Sequence, residues 1–202
     1  MLTYFPPGPL PLPRGPAEEI ERKPVALITG ASGEIGPGLI ARLSEGARPV
    51  VTLDLKALDP DMAPMVAQQF IGSILDANLL EFAQRQGESH DRPVVFMYPS
   101  SIAAYGLPDL ATKERAGRVK EDDFATPTTV YGCNKLYCEQ LGRYYARHYK
   151  QLAPAKASGR VDFRGIRFPG LISAVTIPSG GTSDYAPEMI HAAARGNPTP
   201  AS

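Results

Sequence analysis

The feature that most constrains the fold is the segment 25–36, in which a short apolar run meets three evenly spaced glycines. The run Val25 to Thr29 has the length and composition of a β-strand buried on both faces. Gly30 permits a tight turn after it, Gly33 permits close approach of the backbone to a pyrophosphate, and Gly36 permits close packing of helix on strand. A strand, a glycine-rich turn and a helix in this order predict a nucleotide-binding α/β unit, with a purely structural turn as the alternative.

The phosphate groups of a nucleotide are expected at the start of the helix, where free N–H groups and the helix dipole favour anions. Glu34 and Ile35, between the last two glycines, belong to the predicted contacts. A second apolar run ends at Asp54, about twenty residues farther on, where a carboxylate accepts hydrogen bonds from ribose hydroxyls. The same carboxylate repels a 2′-phosphate, so NAD is favoured over NADP as the cofactor.

Strand and helix patterns alternate along the rest of the chain. Further strands are predicted at Pro49 to Leu53, Gln69 to Leu75, Pro93 to Tyr98 and Val161 to Phe168. Helices are predicted at Gly36 to Glu45 with Leu39, Ile40 and Leu43 facing inward, at Asp76 to Gln86 capped by Asp76, from near Val130 within Thr126 to Lys150, and at Pro187 to Arg195. This alternation indicates a doubly wound parallel sheet with right-handed crossovers.

Tyr131 and Lys135 lie four residues apart on the long predicted helix and therefore share one of its faces. A phenol ionises near pH 10, so a tyrosine that acts as a base at neutral pH needs a cation beside it. Lowering a phenol pKa by about three units takes roughly 4 kcal/mol, which Lys135 and a positive nicotinamide ring together could supply. The pair is therefore a candidate for proton transfer.

These motifs resemble those of the extended short-chain dehydrogenase/reductase family, whose fold is a Rossmann-type doubly wound sheet. The glycine spacing matches, and Ser100 to Gly106 resembles the family's Ser-Ser-x-x-x-Tyr-Gly segment. The resemblance implies that Ser101 holds the substrate oxygen, Tyr131 moves the proton, and Lys135 also binds the ribose. It further implies that Ile74 covers the adenine and that Pro169 contacts the cofactor. Ser100 is expected to be a capping or turn residue.

Two later segments, Arg167 to Ser173 and Ser179 to Ala186, resemble those of short-chain-type L-threonine 3-dehydrogenases. That resemblance places Thr182 and Asp184 at the binding site for an amino-acid substrate, with the carboxylate suited to an ammonium group. It implies oxidation of the 3-hydroxyl of L-threonine to 2-amino-3-oxobutanoate. As alternatives, Asp184 is the N-cap of the last helix, and the substrate is a nucleotide sugar of an epimerase or dehydratase.

The chain departs from the family pattern in two places. Fewer than 20 residues separate Ile74 from Val94, whereas a full βαβ crossover takes about 30. One central strand–helix unit is therefore expected to be missing, which would expose backbone groups and apolar side chains or force a new strand pairing. Most of the C-terminal substrate lobe is also expected to be missing. A shortened chain that binds a nucleotide or a partner without catalysis is a third hypothesis.

Composition excludes several classes of protein. Lys plus Arg equals Asp plus Glu, 21 each, which argues against nucleic acid as a partner. No apolar run reaches the ~20 residues of a membrane span, and a cytoplasmic protein is expected. Cys133 and Cys138 lie five residues apart on one predicted helix and point to different sides, so neither a disulfide nor a metal site is expected, and both are expected to be packing residues.

Three regions are predicted along the chain. Residues 1–23, with six prolines between Pro6 and Pro16, form a disordered tail. Residues 24–178 form the NAD-binding domain, and residues 179–202 are a remnant of the substrate lobe. A homodimer through the helix at Val130 to Lys150 is possible, and its tyrosines serve either that surface or the core.

Overall fold

A computed structural model describes residues 23–73, 78–155, 157–172 and 185–197. The chain divides into two compact units, Met1–Ser73 and Ile74–Ser202. Each unit holds a parallel sheet and helices, which confirms the predicted α/β class. The proline-rich start and the predicted site residues Ile74, Thr182 and Asp184 lie outside the described residues, as does the predicted cap Asp76.

The first unit is a three-stranded parallel sheet with the strand order β1-β2-β3. Its elements are β1 at Ala26–Thr29, α1 at Gly36–Ser44, β2 at Val50–Asp54, a 3-10 helix at Ala63–Met65 and β3 at Gln68–Ile71. The register pairs Thr29 with Leu53 and Asp54 with Ile71. The carboxyl ends of the three strands therefore share one edge of the sheet, which is where Gly30 and Asp54 lie.

The core of the first unit lies between this sheet and α1. Its buried residues are Ile28, Ala31, Ile40, Val50 and Leu58. The prediction that Leu39 and Leu43 face inward is wrong, because both are exposed and only Ile40 of the three is buried. Burial of β1 on both faces is also wrong, since Leu27 is 42% exposed. The described part of this unit contains one α-helix, and it covers one face of the sheet.

The second unit contains β4 and β5, paired in parallel along eight residues from Val94 opposite Val161 to Ser101 opposite Phe168. Its elements are α2 at Leu79–His90, β4 at Val94–Ser101, a 3-10 helix at Ile102–Ala104, α3 at Leu110–Ala116, α4 at Val130–Arg147, β5 at Val161–Phe168 and α5 at Tyr185–Ala194. The strand β5 has its predicted bounds.

Two helices of this unit begin at capping residues that were not predicted. Asn78 caps α2 by accepting a hydrogen bond from the backbone N–H of Glu81 at 3.1 Å, so this helix starts at Leu79. Asp109 caps the unpredicted α3 by accepting one from Thr112 at 2.6 Å. Asn and Asp are both strong N-cap residues, and the signal was therefore present in the sequence.

The core of the second unit contains Leu80, Ala83, Tyr145, Tyr149 and Val161. Two of the α4-region tyrosines thus serve the core, and their rings stack with centroids 5.2 Å apart. The other three, Tyr131, Tyr137 and Tyr144, are exposed.

The central strand–helix unit is missing, as predicted. Seven residues separate the end of β3 at Ile71 from the start of α2 at Leu79, too few for a strand and a crossover helix. Among the described strands, β1 pairs with β2 alone and β4 with β5 alone. Some apolar side chains on these two strands are exposed, among them Leu27 at 42% and Met97 at 52%.

None of the described helices combines the length and the apolar character that crossing a bilayer requires.

Candidate functional site

In the first unit, the loop between β1 and α1 is shaped by its glycines. Gly30 has a φ of +67°, a conformation that favours glycine. The backbone N–H of Gly33 donates to the carbonyl of Gly30 at 3.0 Å, and that of Gly36 donates to Gly33 at 3.2 Å. A Cβ on Gly36 would lie 2.0 Å from the carbonyl oxygen of the buried Ala31. The predicted tight turn at Gly30 is therefore present, and Gly36 packs closely on the loop residue Ala31 instead of on the strand.

Asp54, at the end of β2, holds this loop in place. One carboxylate oxygen accepts a hydrogen bond from the backbone N–H of Ser32 at 2.9 Å, and the other accepts one from Lys56 at 3.0 Å. These backbone hydrogen bonds, that from Ser32 first, lower the pKa of Asp54 below its usual value. Because an ionised carboxylate has about four acceptor sites, the group can still accept bonds from ribose hydroxyls.

The start of α1 has the properties of a phosphate-binding site. The N-cap residue Ile35 makes no side-chain hydrogen bond to the helix, and the first turn carries no acidic residue. Glu34 and Ile35 are exposed. The exposed start of α1, the open glycine loop and an ionised Asp54 together fit the adenosine diphosphate part of NAD.

In the second unit, Tyr131 and Lys135 occupy the first turns of α4. Thr129 caps this helix by accepting a hydrogen bond from the backbone N–H of Gly132 at 3.0 Å. The Nζ of Lys135 lies 5.5 Å from the centroid of the Tyr131 ring and donates to the carbonyl of Pro99 at 2.7 Å. Tyr131 is 53% exposed. The structure brings this predicted pair together.

Ser101 lies at the end of β4 and caps the 3-10 helix that follows, its Oγ accepting a hydrogen bond from the N–H of Ala103 at 3.1 Å. The prediction that Ser100 is the capping residue is wrong. Ser100 is 3% exposed and donates to Glu139 at 2.5 Å. Alternate residues of a strand point to opposite faces, so adjacent serines have different surroundings.

Close packing joins the serine segment to α4. A Cβ on Gly132 would lie 2.0 Å from the carbonyl oxygen of Ala103, so the helix approaches the 3-10 helix as closely as only glycine allows. Gly132 directly follows Tyr131, and Ala103 lies two residues after Ser101. The second unit therefore packs the 3-10 helix that Ser101 caps against the first turn of α4, which carries Tyr131.

Glu139 and Arg167, to which no site role was predicted, form a buried ion pair at 2.6 Å beside this segment. Burial raises the pKa of Glu139, but hydrogen bonds from Arg167 and Ser100 outweigh that effect and hold the pKa below its usual value. The hydrogen bond to Glu139 raises the pKa of Arg167. The signal for Glu139 was its spacing, since it lies four residues after Lys135 on the same helix face.

Other predicted residues have simpler surroundings. Pro169 is exposed just beyond β5. Cys133 is exposed, so its predicted packing role is wrong, whereas Cys138 is half-buried. Burial, followed by a hydrogen bond with Cys138, raises the pKa of Tyr98, whose ring lies 5.2 Å from Lys135 Nζ.

Comparison with known proteins identifies similar chains. Residues 64–200, more than half of the chain, match the model of the NAD dependent epimerase/dehydratase family. An uncharacterized epimerase/dehydratase of Staphylococcus aureus (strain USA300) is 42% identical over 100 residues, which are 50% of this chain and 26% of that protein. The chain thus spans about a quarter of the length of the curated relatives it matches.

Two solved structures are similar to most of the chain. A partial consensus L-threonine 3-dehydrogenase has a TM-score of 0.62 at 28% identity, over 87% of this chain and 63% of that one. A UDP-galactose 4-epimerase has a TM-score of 0.56 at 18% identity, over 84% and 62%. The latter similarity shows the fold alone. Together with the glycine loop and the Tyr131–Lys135 pair, the family match shows that the chain belongs to the NAD-dependent epimerase/dehydratase family.

Proposed function

We propose that this chain binds NAD and oxidises a secondary hydroxyl group, in the manner of an L-threonine 3-dehydrogenase. The observation that carries the proposal is the Tyr131–Lys135 pair, with Lys135 Nζ 5.5 Å from the Tyr131 ring, on a helix that packs against the 3-10 helix capped by Ser101. A hydroxyl, a phenol and an ammonium group are the set that proton transfer to and from a secondary alcohol requires.

The first unit would hold the adenosine diphosphate part of NAD. The loop Gly30 to Gly36, including Glu34 and Ile35, would surround the pyrophosphate, and Asp54 would accept the ribose hydroxyls. Ile74 and Pro169 remain predicted contacts of the adenine and of the rest of the cofactor. Bound NAD supplies the hydride acceptor, and the chain supplies orientation and the proton relay.

The second unit would act on the hydroxyl itself. Ser101 would donate a hydrogen bond to the substrate oxygen, and the phenolate of Tyr131 would take the hydroxyl proton as the carbonyl forms. Lys135 would favour the phenolate through its charge and would bind the nicotinamide ribose. The carbonyl of Pro99, which accepts from Lys135 at 2.7 Å, keeps the ammonium group on the Tyr131 side of α4.

An amino acid is the favoured substrate class, supported by the resemblance of the Thr182 to Tyr185 segment and by the 28% identity to a consensus L-threonine 3-dehydrogenase. Thr182 and Asp184 would bind it. A nucleotide sugar is the second candidate, supported by the description of the matching family as epimerase/dehydratase.

The test is NADH formation on addition of L-threonine, followed by absorbance, with Tyr131→Phe as the matched control because it removes one oxygen atom. We expect a threonine-dependent signal that Tyr131→Phe reduces at least a hundredfold, as for loss of a general base. Conversion of UDP-galactose without net NADH would instead support the epimerase.

Two further results separate the remaining hypotheses. Absence of turnover at high protein concentration, with a melting temperature that still rises in NAD, would leave a nucleotide-binding chain without catalysis. Absence of both effects would contradict the proposal entirely.

A further inference from the structure

A buried ion pair lies next to the proposed catalytic serine. The side chains of Glu139 on α4 and Arg167 at the end of β5 are 6% and 10% exposed. Arg167 donates to both oxygens of the carboxylate, from Nε to Oε1 at 2.8 Å and from Nη2 to Oε2 at 2.6 Å. A two-point bond of this kind fixes the direction of the carboxylate as well as its position.

The Glu139 carboxylate is hydrogen-bonded to Ser100, the residue before Ser101. The Oγ of Ser100 donates to Oε1 of Glu139 at 2.5 Å, and Ser100 is almost completely buried. Because Ser100 and Ser101 are consecutive, this bond fixes the backbone from which the Ser101 side chain projects.

A second bond attaches the same strand end to the same helix. Lys135, one turn before Glu139, donates from Nζ to the carbonyl of Pro99 at 2.7 Å. Two consecutive residues of β4, Pro99 and Ser100, are therefore held by two side chains of α4 that share one face. The face also carries Tyr131, so the helix that bears the phenol also aligns the serine strand.

Arg167 extends the network beyond the strands. Its Nη1 donates to the carbonyl oxygen of Glu121 at 2.8 Å, and its guanidinium carbon lies 4.3 Å from the centroid of the Tyr105 ring. The segment that follows Ser101 is thus also held, and Arg167 is fixed from three sides.

We infer that Ser100 and Glu139 are positioning residues, which hold Ser101 and Lys135 in place for proton transfer at Tyr131, and that Arg167 orients Glu139. The inference rests on the proposed function. These three residues would therefore align the site. That role is separate from the effect that a buried ion pair has on stability.

The first test needs no activity. The amide of Ala103 donates to Ser101 Oγ, so its hydrogen exchange, measured by NMR, reports whether that hydroxyl is held. Ser100→Ala should accelerate this exchange about tenfold, the factor expected from loss of one hydrogen bond. Ser100→Thr, which keeps the hydroxyl, should retain the protection of the unaltered chain.

The matched control is Tyr149→Phe, which also removes a buried hydroxyl that donates to a carboxylate, that of Glu81 at 3.2 Å. This bond lies beyond the C-terminal end of α4. Tyr149→Phe should destabilise the second unit as a whole. The exchange of the Ala103 amide should then rise no more than this loss of global stability explains. Equal exchange at Ala103 in Ser100→Ala and Tyr149→Phe would overturn the inference, whether or not the chain is active.

The second test uses turnover. Ser100→Ala should lower kcat about tenfold while the Kd for NAD stays unchanged, and Tyr149→Phe should change neither. An unchanged kcat despite faster exchange would also overturn the inference. The unaltered chain could show no turnover while protection of the Ala103 amide still depends on Ser100. That result would contradict the proposed function, but Ser100 and Glu139 would still be shown to hold the backbone at Ser101.

Discussion

Two residues, Gly36 and Asp54, fix the conformation of the glycine loop in the first unit. Gly36 leaves 2.0 Å between a hypothetical Cβ and the carbonyl oxygen of Ala31, and the obstructing atom is backbone, so a side chain there cannot be accommodated by a rotamer change. Asp54 fixes the same loop through the N–H of Ser32. The loop is therefore set by backbone contacts and one carboxylate.

Gly36→Ala should destabilise the first unit by roughly 2 kcal/mol, as overpacking does, and weaken NAD binding at least tenfold. Gly38→Ala is the matched control, because a Cβ there meets nothing within 4 Å and alanine favours a helix over glycine by about 1 kcal/mol. Calorimetric titration with NAD and thermal unfolding check both variants. Similar NAD affinity in the two would show that close packing at Gly36 is dispensable.

Asp54 gives the first unit a predictable pH dependence. The pKa of Asp54 is lower in the folded chain than its ordinary value of 3.8, so its contribution to stability is complete above that value and is lost as the pH falls through the folded pKa. At neutral pH, Asp54→Asn should melt below the unaltered chain. The two melting temperatures should converge as the pH falls below 3.8, and a constant difference would contradict the assigned cause.

At the scale of elements, α4 has two close contacts with different consequences. At its start, Gly132 packs on the carbonyl of Ala103, next to the proposed site. Nearer its end, Gly142 packs on the ring of Phe163, where a Cβ would lie 2.2 Å from Cε2. The first contact aligns the site, and the second belongs to the core.

Gly132→Ala should move the first turn of α4 away from the 3-10 helix and lower the rate of NADH formation at least tenfold. Gly142→Ala is the control on the same helix, with the same added methyl group and the same gain in helix propensity. Gly142→Ala should lower the melting temperature. For each degree lost, the rate of NADH formation should fall less than it does in Gly132→Ala. Parallel losses of rate and stability in both variants would indicate that Gly132 has only a structural role.

At the scale of the whole molecule, the missing central strand leaves an unpaired strand edge in each of the two described sheets. Within the described residues, β1 and β4 each have a strand partner on one side only. Leu27 and Met97 on these strands are exposed. Exposed apolar strands with an open edge are templates for pairing with another chain.

Met97→Lys and Leu27→Lys should each reduce concentration-dependent association, measured by light scattering during size-exclusion chromatography, at a stability cost within about 0.5 kcal/mol. Leu152→Lys is the control, because Leu152 is fully exposed in a turn outside the strands. An equal reduction by all three variants would attribute the effect to added charge instead of to the strand edges.

The sequence by itself determined the local features, because each depends on residues a few positions apart. The φ of Gly30, the shared face of Tyr131 and Lys135, and the bounds of β5 follow from turn chemistry, helical spacing and a largely alternating apolar pattern. The missing strand–helix unit was also predictable, since chain length alone limits what fits between β3 and β4. By contrast, the boundaries of α2 and α3 were missed although their caps, Asn78 and Asp109, were in the sequence.

Only the tertiary structure decided which side chains are buried and which of them meet. Leu27 and Leu39 have the pattern of core residues but are exposed, because burial requires a second layer that the described part of the first unit does not supply. Ser100, and not Ser101, points into the protein. There Arg167 binds Glu139, which lies 28 residues earlier in the sequence. Contacts at such separations are set by packing between elements, and neither local propensity nor periodicity contains them.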